Sequence, residues 1–210
     1  MTDSCTQKRR RFSPEKRKSL ILDHTAEIVA REGVSVLSME RIGKEAGISK
    51  SLVYAYFESL TDLLRTLLKR ELKSQRLLLA KEAEEATTFE ELVRGVTHQY
   101  LKYIEERGLI IERLQAEPSL SGGNDPTDYS RDSAVDYLAD IIAANFDLPK
   151  GVARAATDIS FGLPATAGAY FLRGGIELEE IENITVTMIL GSITRLKNVY
   201  STNYLPLKRE

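Results

Sequence analysis

The chain has 210 residues, 42% hydrophobic and 29% charged, enough to bury a sizeable core as one or two small domains, and no apolar run approaches the roughly 18 residues of a bilayer span. Two histidines and a single cysteine leave little material for a metal site and none for an internal disulfide. The net charge of −2 conceals a division, since residues 1–80 hold 16 Lys and Arg against 10 Asp and Glu while residues 81–210 hold 13 against 21; the first part suits a polyphosphate partner that the second would repel.

The opening residues are polar and basic and do not form a signal-peptide core, so a cytoplasmic protein is expected. Cys5 is expected to be a solvated thiol, with a redox switch as the alternative. Lys8-Arg9-Arg10-Arg11 reads as part of a basic arm over residues 1–12. Such an arm lies along phosphates or enters a minor groove, or else only solubilises the chain. Ser13 as N-cap and Pro14 at the first helical position then announce a helix. Its Ile21, Leu22, Ala26, Ile28 and Val29 recur at helical spacing, and Gly33 ends it.

From Ser38 to Phe57 the small and apolar residues fit two short helices crossing at a glycine turn. Ile42 faces the partner, Gly43 and Ala46 keep the corner narrow, and Gly47 permits the positive φ of a sharp exit. Ile48 and Val53 point back to the core, with Ser38 and Ser49 as N-caps. This is a helix-turn-helix, either a reader of the DNA major groove or a plain helical hairpin in an all-α protein. In the first case Ser38 and Met39 head the first helix, where a hydroxyl and amides suit a phosphate. Ser49, Lys50, Ser51 and Leu52 open the second helix, where bases are read. Tyr54 and Tyr56 offer hydroxyls to phosphates or else pack inward, and Phe57 packs.

Leu22-Ala26-Val29 with Ala30-Arg31-Glu32-Gly33, then Ser38 to Gly43, Ala46-Gly47-Ile48-Ser49-Lys50, and Val53-Tyr54-Ala55-Tyr56-Phe57-Glu58-Ser59 stand in an order and register that resembles the TetR-type one-component transcriptional regulators. The resemblance covers about Ser13 to Leu68. It implies an all-α protein with a DNA-binding domain at 13–58 and a helical effector-binding and dimerisation domain at 59–203, followed by a tail at 204–210. One departure is Leu60, where the family commonly carries a phosphate-binding lysine; that contact is in question here.

After Phe57, Ser59 and Asp62 suggest a capping box opening a fourth helix with a seam of Leu63, Leu64, Leu67, Leu68, Leu72 and Leu79. The resemblance implies that this helix links the two domains. Thr88-Phe89-Glu90-Glu91 is another capping box, heading a helix that carries Leu92, Val96, Tyr100 and Tyr103 and runs to about Arg107 before Gly108. Leu109 to Ala116 is expected to add a short helix, and Pro118 to Asp128 to form a loop. Helices at about Tyr129–Phe146, Pro149–Arg173 and Glu177–Tyr200 follow, with Pro164 expected to bend the second.

The last two helices carry apolar or small residues on more than one face. Ile181, Ile184, Met188, Ser192, Leu196 and Val199 trace one stripe of the final helix, and Val186, Ile189, Leu190 and Ile193 another. A homodimer through these helices, as the resemblance also implies, or complete burial in one subunit explains them. A two-fold dimer suits a palindromic operator with half-sites roughly 34 Å apart or a multiple of that.

An enzyme is not expected. His24 and His98 stand far apart, there is no His-Glu-x-x-His, Cys-x-x-Cys or Gly-x-Gly-x-x-Gly, and the carboxylates cluster as solvated faces do, so no catalytic residue, metal or cofactor is assigned. A cavity for a small-molecule effector is expected between helices, with Tyr100, Tyr103, Arg113, Asn145 and Phe161 as candidate lining. The function expected is a sequence-specific repressor released from double-stranded operator DNA by that effector. An activator or effector-independent regulator is the alternative, as is a helical ligand-binding or catalytic protein with a structural helix-turn-helix.

Overall fold

The computed structural model describes residues 13–120 and 126–203, and all its regular structure there is helical. The helices are α1 (Pro14–Glu32), α2 (Met39–Glu45), α3 (Lys50–Tyr54), α4 (Leu60–Glu85), α5 (Phe89–Gln115), α6 (Pro126–Phe146), α7 (Lys150–Leu172) and α8 (Leu178–Asn203), with a 3₁₀ turn at Pro118–Leu120. The basic arm, with Cys5 and Arg9, Arg10 and Arg11, and the tail at 204–210 lie outside the described residues.

The chain divides into two compact units. Among the described residues, the first takes those up to Lys69 together with Arg113–Leu120, and the second takes Arg70–Glu112 and α6 to α8. Helices α4 and α5 therefore each contribute residues to both units.

In the first unit, local chemistry sets the helix ends. Ser13 caps α1 by accepting from the Lys16 amide at 3.2 Å, Pro14 opens the helix, and Gly33 at φ 88° ends it. The first buried layer comes from α1 through Ile21, Ala26, Ile28 and Val29, and from Ile42, Val53 and Phe57 beyond the turn. Leu63, Leu64 and Leu67 from α4 and Leu114 from α5 complete it. The capping box at α4 differs from expectation: the Asp62 amide donates to Ser59 Oγ at 3.1 Å, but the Asp62 carboxylate accepts from the Glu58 amide, one residue earlier.

Among the described residues of the second unit, apolar clusters hold the helices together. Ile142, Leu148, Ala153, Ala156 and Ile193 join α6, α7 and α8, with Phe89 edge-on to Phe146 at 4.9 Å beside them. Val93 packs with Val186 and Ile189, and Leu101 with Ala167 and Ile181. At the head of α5, Glu91 accepts from the amides of Thr87 and Thr88 while its own amide donates to Thr88 Oγ1, closing the expected box.

Several expected boundaries are corrected. Gly108 does not end a helix, because α5 is continuous from Phe89 to Gln115 and a separate helix at Leu109–Ala116 does not exist. A Cβ at Gly108 would lie 3.2 Å from Leu172 Cδ1 and 3.0 Å from Ile104 Cγ2, so this glycine marks a close approach to α7. Pro126–Asp128, expected as loop, form the first turn of α6. As expected, Pro164 lies inside one continuous helix, α7. On α8, Ile181 leaves its expected stripe and belongs to the core, whereas Ile184 and Met188 stay exposed.

Candidate nucleic-acid interface

The α2–α3 corner follows from two glycines. The Ile48 amide donates to Gly43 O at 2.8 Å, and a Cβ on Gly43 would lie 2.9 Å from Ile48 O, so the turn folds directly over the α2 backbone. Gly47 has φ 64°, in the left-handed region that a side chain disfavours. The corner then delivers Ser49, whose hydroxyl accepts from the Leu52 amide at 3.2 Å and caps α3.

Helix α3 has two distinct sides. Val53 is fully buried and Phe57, just beyond the helix, is nearly so, whereas Lys50, Ser51 and Tyr54 are exposed and Leu52 and Tyr56 half-buried. The Ser49 and Ser51 hydroxyls lie 3.1 Å apart on the outer side. Ser38 caps α2 by accepting from the Arg41 amide at 3.1 Å, which places a hydroxyl at the head of that helix. Met39 is buried, so its side chain belongs to the core and only its backbone remains for a ligand. Leu60 is half-buried and offers no charge. The structure thus brings Ser49, Lys50, Ser51 and Tyr54 onto one short exposed helix start and side, an arrangement able to touch base edges and phosphates.

A signal that sequence reading missed lies at the end of α1. Glu32 accepts from Arg41 Nη2 at 2.7 Å on each carboxylate oxygen and from Arg31 Nε at 2.9 Å. The Arg41 hydrogen bond first, and then the Arg31 bond, hold the Glu32 carboxyl below the usual carboxylate range.

The residues named for an effector each have their own surroundings. Arg113 belongs to the first unit, where its Nη1 donates to Val29 O at 2.6 Å and Ala30 O at 2.8 Å; it covers the last carbonyls of α1, as a cation at a helix C-terminus does. Asn145 is exposed and donates to Ile141 O of its own helix. Tyr103 is buried with its hydroxyl donating to Glu71 at 2.9 Å, and burial followed by the Glu71 charge pushes its ionisation upward. Tyr100 and Phe171 pack beside the Leu101 cluster, and burial raises the Tyr100 hydroxyl as well. Phe161 is half-buried under the Arg131 guanidinium.

Among the described residues, no three His, Cys, Asp or Glu side chains are grouped to hold a metal ion, and no helix is long and apolar enough to cross a membrane.

Residues 21–67 match the family model described as bacterial regulatory proteins, tetR family. An uncharacterized HTH-type transcriptional regulator of Haemophilus influenzae is 29% identical over 105 residues, 50% of this chain and 56% of the relative, so the match spans little more than half the relative's length. The fold is that of a TetR-family transcriptional regulator from Streptomyces coelicolor, with a TM-score of 0.71 at 20% identity over 90% of this chain and 85% of that one. It is also that of the TetR-like regulator LfrR from Mycobacterium smegmatis, solved in complex with proflavine, with a TM-score of 0.61 at 20% identity over 83% of this chain and 95% of that one. The tetR pattern of residues 21–67 lies on the two-sided corner of α2 and α3, and the fold over most of the chain is similar to that of TetR-type transcriptional regulators.

Proposed function

We propose that the protein is a homodimeric repressor whose two α3 helices occupy the halves of a palindromic operator, and that a small molecule bound in the second unit releases it. The observation that carries this reading is the sidedness of α3. A helix kept only for packing would need Val53 and the adjoining Phe57, but not an outward Lys50, Ser51 and Tyr54 beside a capped helix start. Arginine or lysine pairs with guanine edges, and serine and tyrosine hydroxyls suit bases and phosphates, so the exposed set has the chemistry of groove reading.

The dimer is supported by apolar side chains left outside on the last two helices. Ile159 is 76% exposed and Met188 52% exposed in the single chain, with Ile184 and Tyr170 also outside. Gly162 and Gly191 stand among them, and a Cβ at either would meet nothing within 4 Å, leaving room for a second helix to approach. Apolar patches of this kind mark contact surfaces. A two-fold pairing through α7 and α8 would repeat the reader twice, as a palindrome requires.

Effector binding is supported by the neighbour solved with proflavine and by the aromatic residues Tyr100 and Phe171 beside the Leu101 cluster. Release requires that the effector bind the two conformations with unequal affinity, a coupling of about 1–3 kcal/mol that DNA must return in kind. Selection of bound duplexes from random DNA tests the core of the proposal. A palindromic site is expected, and its preference should be lost or altered in the Lys50→Ala, Ser51→Ala double variant. Failure of the wild-type protein to prefer any duplex over scrambled competitor at moderate salt would remove the function.

A further inference from the structure

The cations of residues 31–50 are of two kinds. Among the described residues, Lys44 and Lys50 have no carboxylate at ion-pair distance, whereas Arg31 and Arg41 are both tied to Glu32, with Arg31 also 3.4 Å from Glu45. Arg41 lies one helical turn after Ser38, so the two share a face at the head of α2. The Ser38 hydroxyl on that face has the chemistry to accept a phosphate contact beside the α3 reader. The Arg41 guanidinium nevertheless turns back to α1, with both carboxylate oxygens of Glu32 at 2.7 Å from its Nη2.

Phosphate contacts supply most of the sequence-independent affinity of a DNA-binding protein, and each one steepens the salt dependence. Base contacts supply the preference. A reader whose surface arginines were free would therefore hold random duplex more tightly and discriminate less. Glu32 holds Arg41 through Nη2 and Arg31 through Nε without adding a ligand of its own. Its position at the last turn of α1 also fastens α2 to α1, since the bond spans nine residues across the intervening loop.

We propose that Glu32 is a specificity-determining positioning residue: it withholds Arg41 and Arg31 from the DNA backbone, so that preference between sequences is not diluted by added phosphate contacts. This rests on the DNA-binding function proposed above.

The test uses the full-length protein with the duplex selected for the wild type and a scrambled duplex of equal length, each titrated over a range of salt. Glu32→Gln is expected to bind scrambled duplex more tightly at low salt and to lower the selected-over-scrambled ratio. The slope of log K against log salt should steepen by about one to two, close to 0.9 for each phosphate gained. Adding Arg31→Gln and Arg41→Gln to this variant should return the slope to the wild-type value. Arg41→Gln alone should leave the slope unchanged, which keeps the proposal testable if Glu32→Gln folds poorly.

A Glu32→Gln variant that weakens both duplexes equally with an unaltered slope would make Glu32 merely structural and overturn the proposal. So would Arg41→Gln lowering the wild-type slope, because Arg41 would then already hold a phosphate. Either result with sequence preference intact sinks this inference alone. A wild type without preference sinks the function on which it rests.

Discussion

Arg107→Met should destabilise the second unit more than any surface charge deletion. Glu71 of α4 is 3% exposed and accepts from Arg107 Nε at 2.9 Å and Nη2 at 2.8 Å, from Tyr103 at 2.9 Å and from Arg70 at 3.0 Å. Removing one partner of a fully buried pair costs about 3–5 kcal/mol. Two features reduce that figure here: the Arg107 side chain is 34% exposed, and Arg70 and Tyr103 remain on the carboxylate. Two bonds to a charged group at about 1.5 kcal/mol each, the low end of their range, set the loss at about 3 kcal/mol. Urea unfolding followed by circular dichroism measures it, since the chain has no tryptophan for fluorescence. A double-mutant cycle with Glu71→Gln isolates the pair from lost packing of the arginine stem. A loss below about 0.5 kcal/mol, the level of an ordinary surface substitution, or a coupling near zero would refute the assignment of the pair as a rivet between α4 and α5.

The pair also gives a pH dependence of known sign. Burial opposes ionisation of Glu71 most strongly, but Arg107, Tyr103 and Arg70 together outweigh it and hold the carboxyl below its ordinary value. A carboxylate with a depressed folded value stabilises fully above its unfolded pKa, about 4.3, and loses that contribution as pH falls through the folded value. Acid titration of unfolding should therefore show a wild-type loss at low pH that is smaller in Arg107→Met.

Other substitutions test other levels of the structure. Gly43→Val should cost the first unit about 3 kcal/mol, because even its Cβ meets backbone at 2.9 Å from Ile48 O; a thermal melt showing no loss would mean the corner is looser than described. Replacing Ile159 and Met188 together with lysine should yield a monomer by sedimentation without loss of helix content, and a persistent dimer would place the interface elsewhere. Ser49→Ala should lower stability by about 1 kcal/mol through the lost α3 cap, read by chemical denaturation, whereas an unchanged midpoint would show the cap to be dispensable.

Features governed by neighbours in the chain are legible in the sequence. Ser13 with Pro14, Thr88 with Glu91, and the Gly47 turn act through bonds and torsions a few residues long, so residue type and spacing suffice to place them. The sidedness of α3 is legible for the same reason, as alternation of Val53 with polar residues at helical spacing. Long-range partners are not. Gly108 looks like a terminator until Leu172 is seen against it, and Met39 looks like part of an exposed helix start until the core closes over it. Arg113 is a candidate ligand group on its own helix, yet it serves carbonyls 83 and 84 residues away, and Glu71 finds Tyr103 and Arg107 at separations of 32 and 36. Which charges meet in space depends on how helices pack, and packing is set by the summed fit of many apolar side chains, a quantity that no short stretch of sequence contains.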